Sequence, residues 1–153
     1  MKKIILTISA IVLAVAAIYF FFFREARGTD EVFLIPEGLT GCFGIYYNQE
    51  NSEPLSKTDD KVIYRFPQSG KLMTSSPQNF GWARMDDSGW HDATFYYINE
   101  QGEKIKKISD EKIGYEYTNE YSDSSGDTIR SYTFYISKEK NKFPDSVECD
   151  NKQ

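Results

Sequence analysis

The hydrophobic pattern divides the chain into two unlike parts. Residues Ile4 to Phe23 form an unbroken run of twenty without a charge, with Thr7, Ser9 and Tyr19 as its only hydroxyl side chains. At about 1.5 Å per residue the run makes a helix roughly 30 Å long, the thickness of a bilayer's hydrocarbon core. The pattern therefore predicts a membrane-spanning signal anchor over residues 1–23. A cleaved signal peptide is the competing reading, with Ala14-Val15-Ala16 as its cleavage site. Cleavage there leaves Ala17-Ile18-Tyr19-Phe20-Phe21-Phe22-Phe23 at the new terminus, a poor start for a soluble protein, so the anchor is favoured. Lys2 and Lys3 direct the amino terminus to the cytoplasm, weakly opposed by Arg24 and Arg27. Residues 24–30 then form a short juxtamembrane linker, and residues 31–153 an extracytoplasmic domain.

Beyond the linker the pattern changes to short apolar and aromatic runs between turn residues. Val32 to Ile35 is apolar and stops at Pro36-Glu37-Gly38. Phe43 to Tyr47 follows, and then a polar loop, Asn48 to Lys61, that contains Pro54. Val62 to Phe66 and Lys71 to Thr74 flank Pro67-Gln68-Ser69-Gly70 and read as a hairpin. Ala93 to Ile98 and Glu103 to Ile108 flank Asn99-Glu100-Gln101-Gly102 in the same manner. The strongest local pattern lies further on. Ile113, Tyr115 and Tyr117 alternate with Gly114, Glu116 and Thr118, and Tyr132, Phe134 and Ile136 alternate with Ser131, Thr133 and Tyr135. Period-two alternation on both sides of a Gly-containing loop predicts a hairpin with one core face. No ten-residue segment after Phe23 has helical periodicity. The expected fold is mostly β, an antiparallel sandwich or barrel-like domain after one N-terminal transmembrane helix.

Charge narrows the range of partners. Removing Lys2 and Lys3 from the 18 basic residues leaves 16 against 23 acidic ones, so residues 24–153 carry a net charge of −7. The longest basic cluster is Lys104-Ile105-Lys106-Lys107. Nucleic acid is excluded as a partner on this ground, because its binding depends on clustered positive charge.

Cys42 and Cys149 are the only cysteines. Outside the cytoplasm they are expected to pair, with two buried free thiols as the alternative. Leu39-Thr40-Gly41-Cys42 also matches a lipoprotein lipobox. A lipobox directly follows its apolar stretch, whereas Arg24, Glu25, Arg27, Asp30, Glu31 and Glu37 intervene here, so the match reads as accidental.

Candidate chemistry is sparse. The single histidine, His91, lies among Asp86, Asp87 and Asp92, and a histidine beside carboxylates can serve as a general base. One histidine and two pairing cysteines leave too few ligands for zinc, and no metal or cofactor is expected. No Gly-x-Ser-x-Gly elbow, HExxH or phosphate-cradling loop is present. Asp123-Ser124-Ser125-Gly126-Asp127 has calcium-loop composition, but Thr128 and Phe134 stand where an EF-hand requires Gly and Glu. Trp82 and Trp90, with Asp86 and Asp87 between them, make the candidate binding surface, since tryptophans flanked by polar residues anchor sugars and protein partners. The bland alternative is that they cap one end of a small core.

Val32-Phe33-Leu34-Ile35-Pro36-Glu37-Gly38-Leu39-Thr40-Gly41 resembles the opening motif of an uncharacterised family of small bacterial extracytoplasmic domains. Phe43 to Asn48 is similar to that family's second strand, and Phe66 to Thr74 to its next motif. The resemblance covers about residues 31–75, with Leu39 where an aromatic is usual. It implies a membrane- or lipid-anchored exported domain and supplies no catalytic residues. The function expected is a non-catalytic, single-pass, membrane-tethered module, held by residues 4–23, that binds an envelope protein or polymer. The alternatives are a hydrolase using His91 with Asp86, Asp87 or Asp92, and a secreted inhibitor or ligand carrier.

Overall fold

The computed structural model describes residues 26–122, 126, 128–145 and 149, together with Val12. The expected anchor over residues 1–23 lies outside the described residues apart from Val12, as does the Asp123–Asp127 loop apart from Gly126. Among the described residues no helix is long and apolar enough to cross a membrane.

The described residues build two β-sheets. The first has strand order β3-β4-β1-β6-β7, from β1 (Asp30–Pro36), β3 (Ser56–Thr58), β4 (Lys61–Arg65), β6 (Ala93–Ile98) and β7 (Lys104–Lys107). The second has order β5-β2-β9-β8, from β2 (Gly41–Tyr46), β5 (Lys71–Met73), β8 (Ile113–Ser122) and β9 (Thr128–Ile136). Both sheets are mixed, which corrects the antiparallel expectation. The central strand β1 runs parallel to β4 and β6, and β2 runs parallel to β5. The hairpins β6–β7 and β8–β9 stand where alternation and turn chemistry placed them.

The hairpin expected across Pro67–Gly70 is not formed. β4 belongs to the first sheet and β5 to the second, where β5 lies along β2. The Gly70 N–H does close a turn onto the Pro67 carbonyl at 3.0 Å, with Gly70 at φ +72°. That turn carries the chain from one sheet to the other instead of folding it back. The step from β1 through Pro36-Glu37-Gly38 to β2 changes sheets in the same way. Both crossings place apolar strands on opposite sides of one core, and burial outweighs local pairing.

The core is aromatic. Phe33 stacks between its register partners Tyr64 and Phe95, with centroids 4.7 and 4.3 Å away. Phe134 of β9 meets Phe33, Phe66 and Phe95 edge-on and stacks on Phe43 at 5.4 Å. β1 is buried on both faces: Phe33 and Ile35 enter this core, while Val32 and Leu34 pack with Ile98 on the other side, against Ile63 and Tyr96. This accounts for its continuous apolar run, as in strands with parallel neighbours. A disulfide joins Cys42 to Cys149 across a sequence separation of 107 residues, with the Cα atoms 5.4 Å apart. Cys42 is thereby a bridge residue, with no free thiol for a lipid.

Candidate functional site

Because β1, β4 and β6 are parallel, their first residues Asp30, Lys61 and Ala93 share one end of the sandwich, and Pro36, Arg65 and Ile98 share the other. A seven-residue strand separates the two ends by about 20 Å. The chain enters at the first end, and it does not enter as a loose tether. The Trp90 backbone N–H donates to the Ala26 carbonyl at 2.9 Å, and the Gly28 backbone N–H to the Trp90 carbonyl at 3.1 Å. The Thr29 backbone N–H donates to the Gly81 carbonyl at 2.7 Å and the Glu31 backbone N–H to the Asp92 carbonyl at 2.8 Å. The expected linker 24–30 is thus docked from Ala26 onward. Two glycines permit the approach: a Cβ on Gly28 would lie 2.1 Å from the Ser88 carbonyl oxygen, and one on Gly89, at φ +67°, would lie 2.4 Å from that of Ala26. The Asp92 backbone N–H donates to Asp30, and together with Arg27 it holds the Asp30 carboxyl below its ordinary range.

The candidate binding residues sit in the loop that receives this segment. Trp90 is 54% exposed, and the Arg27 guanidinium lies 4.8 Å over its ring. Trp82 is half-buried, and its backbone N–H donates to the Asn79 backbone carbonyl. Asp86 is exposed. Asp87 accepts the Gly89 N–H at 2.9 Å, so its carboxylate shapes the turn. The partner brought onto Trp90 is therefore Arg27, not Asp86 or Asp87.

His91 does not meet the aspartates near it in sequence. Its Nδ1 lies 3.0 Å from the Gly89 carbonyl oxygen. A carbonyl only accepts, so Nδ1 carries a proton and Nε2 is left to face Glu31 Oε2 at 3.7 Å. No ion pair of His91 with Asp86, Asp87 or Asp92 exists among the described residues; the carboxylate that its ring faces is Glu31. Glu31 is the first member of a buried set. Tyr64 donates its hydroxyl to Glu31 Oε1 at 2.9 Å, and Tyr47 lies beside this pair. Burial raises the Glu31 carboxyl above its ordinary value, against the lowering effects of the Tyr64 hydroxyl and His91. Burial also pushes the phenols of Tyr47, Tyr64 and Tyr132 upward, so each stays a proton donor. The arrangement ties β1, β4 and the loop before β6 together. The signal for Glu31 lies in the sequence: it shares parity with Phe33 and Ile35, and therefore points to the core face.

The far end carries a feature the sequence reading did not single out. Two surface cavities, of about 570 and 400 Å³, share Arg65 as a wall. The larger lies between the turns at Pro36-Glu37, Pro67-Gln68 and Asn99–Gly102, and the smaller is lined by Leu55, Ile63, Leu72 and Met73. The Arg65 guanidinium packs over Gly102, where a Cβ would meet Nη1 at 2.6 Å. Among the described residues it makes no hydrogen bond or ion pair. Glu37 and Glu100 flank it. The groove therefore suits a ligand with one acidic group and some apolar surface, and disfavours a dense polyanion. Among the described residues no group of three or more His, Cys, Asp or Glu side chains is placed to hold a metal ion.

A family model described as a family of unknown function, DUF6843, matches residues 27–143. No curated protein matches the chain. Among solved structures, a 2.75 Å crystal structure of a "Putative Lipoprotein from Bacillus anthracis" is similar, with a TM-score of 0.60 and 24% sequence identity over 72% of this chain and 71% of that one. At this identity the likeness shows a shared fold.

Proposed function

The chain belongs to DUF6843, a family of unknown function, and we propose that it is a non-catalytic binding module tethered to the outer face of a membrane by residues 4–23. In this reading the groove around Arg65 takes a protein or polymer of the cell envelope. The observation that carries the reading is the two-ended geometry. The segment that follows the apolar run is pinned to the Trp90 loop, and the groove, whose guanidinium has no partner among the described residues, opens at the opposite ends of the same parallel strands. A tether at one end thus presents the groove away from the bilayer. The fold shared with a protein described as a "Putative Lipoprotein" supports an anchored, exported setting. The set Glu31, Tyr64 and His91 has the character of a structural lock, since Glu31 and Tyr64 are largely buried.

The test is fractionation of producing cells with intact-mass analysis, together with a photo-crosslinking side chain at Gln101. The expected result is a full-length chain in the membrane fraction and a discrete crosslinked species that Arg65→Glu abolishes. A shortened chain in the soluble fraction overturns the tether. Crosslinking that is unchanged by Arg65→Glu overturns the groove.

A further inference from the structure

Among the described residues from Ala26 onward the two most exposed large apolar side chains are Met85, at 86%, and Trp90, at 54%. Both belong to the loop that clamps the entering chain. Arg84 and Asp87 close its tip, with the Arg84 N–H donating to the Asp87 carbonyl at 3.0 Å. The clamp to Ala26 and Gly28 fixes where this loop stands relative to the apolar run. Phe23 precedes Ala26 by three residues, and three residues span at most about 10 Å even when fully extended. The polar layer on each side of a bilayer is roughly 5–7 Å deep. A run that ends in the hydrocarbon at Phe23 thus keeps Ala26, and with it the Trp90 backbone, within the polar layer or a few ångströms of its outer edge.

We propose that Trp90 and Met85 rest in the headgroup layer of the bilayer that holds residues 4–23, so that the domain is seated on the membrane and not merely leashed to it. The proposal rests on the tethered reading above and goes beyond it by assigning a lipid-facing surface. Indole rings favour this layer because they offer a flat apolar body with one N–H donor. Arg27, stacked over the Trp90 ring, is paired with Asp30 at 3.2 Å, which leaves the exposed Arg84 to supply a cation for lipid phosphates. Asp86 and Asp87 stand at the tip and oppose deeper entry; Asp87 is already engaged by the Gly89 N–H. The balance gives a shallow seat, held by aromatic and apolar contact rather than by net charge.

The full-length chain in phospholipid vesicles tests this, with Trp82→Phe leaving Trp90 as the single tryptophan. Lipids brominated high or low on the acyl chain serve as depth-resolved quenchers. The expected result is strong loss of Trp90 emission with bromines near the headgroup, weaker loss with deep bromines, and protection from aqueous iodide relative to detergent solution. Chain that floats with the vesicles while Trp90 stays open to iodide and untouched by bromine overturns the seat and leaves the tether intact. Chain that does not float with the vesicles overturns the tether, and the seat with it.

Discussion

The Tyr64 hydroxyl donates to Glu31 Oε1 at 2.9 Å across 33 residues of sequence, joining two neighbouring strands inside the sandwich. A carboxyl placed there is neutral more readily than in water, because burial opposes its charge.

The first prediction follows from that shift. The folded chain holds the Glu31 proton where the unfolded chain has lost it. Stability from this site is full below the ordinary value of 4.5 and declines as pH rises through the higher folded value. Glu31→Gln keeps the size and removes the titration. Its melting temperature should lose the downward slope that the unmodified chain shows over that window. Thermal melts of both proteins across that range check it, and parallel profiles would sink the assignment.

Much of this was legible locally and some of it was not. The β6–β7 and β8–β9 hairpins join strands adjacent in sequence, so turn residues and alternation marked them. The parallel partners of β1 lie some thirty and sixty residues away, and no local pattern records which distant strand will pair. The same distance hid the His91–Glu31 contact. Register sets Glu31 beside Ala93, two residues after His91, whereas sequence proximity pointed to Asp86, Asp87 and Asp92. Arg65 read as one polar residue within a strand, and only the meeting of three turns makes it the wall of a groove.

Phe134 is the residue on which both sheets converge. Phe134→Ala should cost about 3–5 kcal/mol, the range for an aromatic removed from a packed core. Urea unfolding should show a lower midpoint with an unchanged slope. A loss of less than 1 kcal/mol, far below that range, would mean that the five surrounding rings, of Phe33, Phe43, Phe66, Phe95 and Tyr132, close the gap.

The bridge between Cys42 and Cys149 closes a long loop. Replacing both cysteines with serine should lower stability by about 2–5 kcal/mol. Alkylation of the unreduced protein should label no cysteine, and two labelled thiols would refute the bridge.

Gly89 holds a left-handed backbone where a side chain has no room. Gly89→Ala should cost about 1–3 kcal/mol and loosen the clamp between the loop and Ala26. Faster amide exchange at Trp90 and Gly28, with β8 and β9 unaffected, is the expected signature.

Trp90 is mostly exposed, whereas its backbone is fully engaged. Trp90→Ala should therefore leave the melting temperature nearly unchanged, with an effect within about 0.5 kcal/mol, as at ordinary surface positions. A large loss measured by calorimetry would return this ring to a core role.

The parallel placement of β1 between β4 and β6 has a mechanical meaning. The chain reaches this strand directly from Ala26, and the strand points from the entry end toward the Arg65 groove. A pull between the entry end and a partner held at the far turns runs along β1. Its hydrogen bonds to both neighbours are then loaded together, in shear, and do not peel one at a time. The strand at the centre of the fold is thus oriented to carry tension.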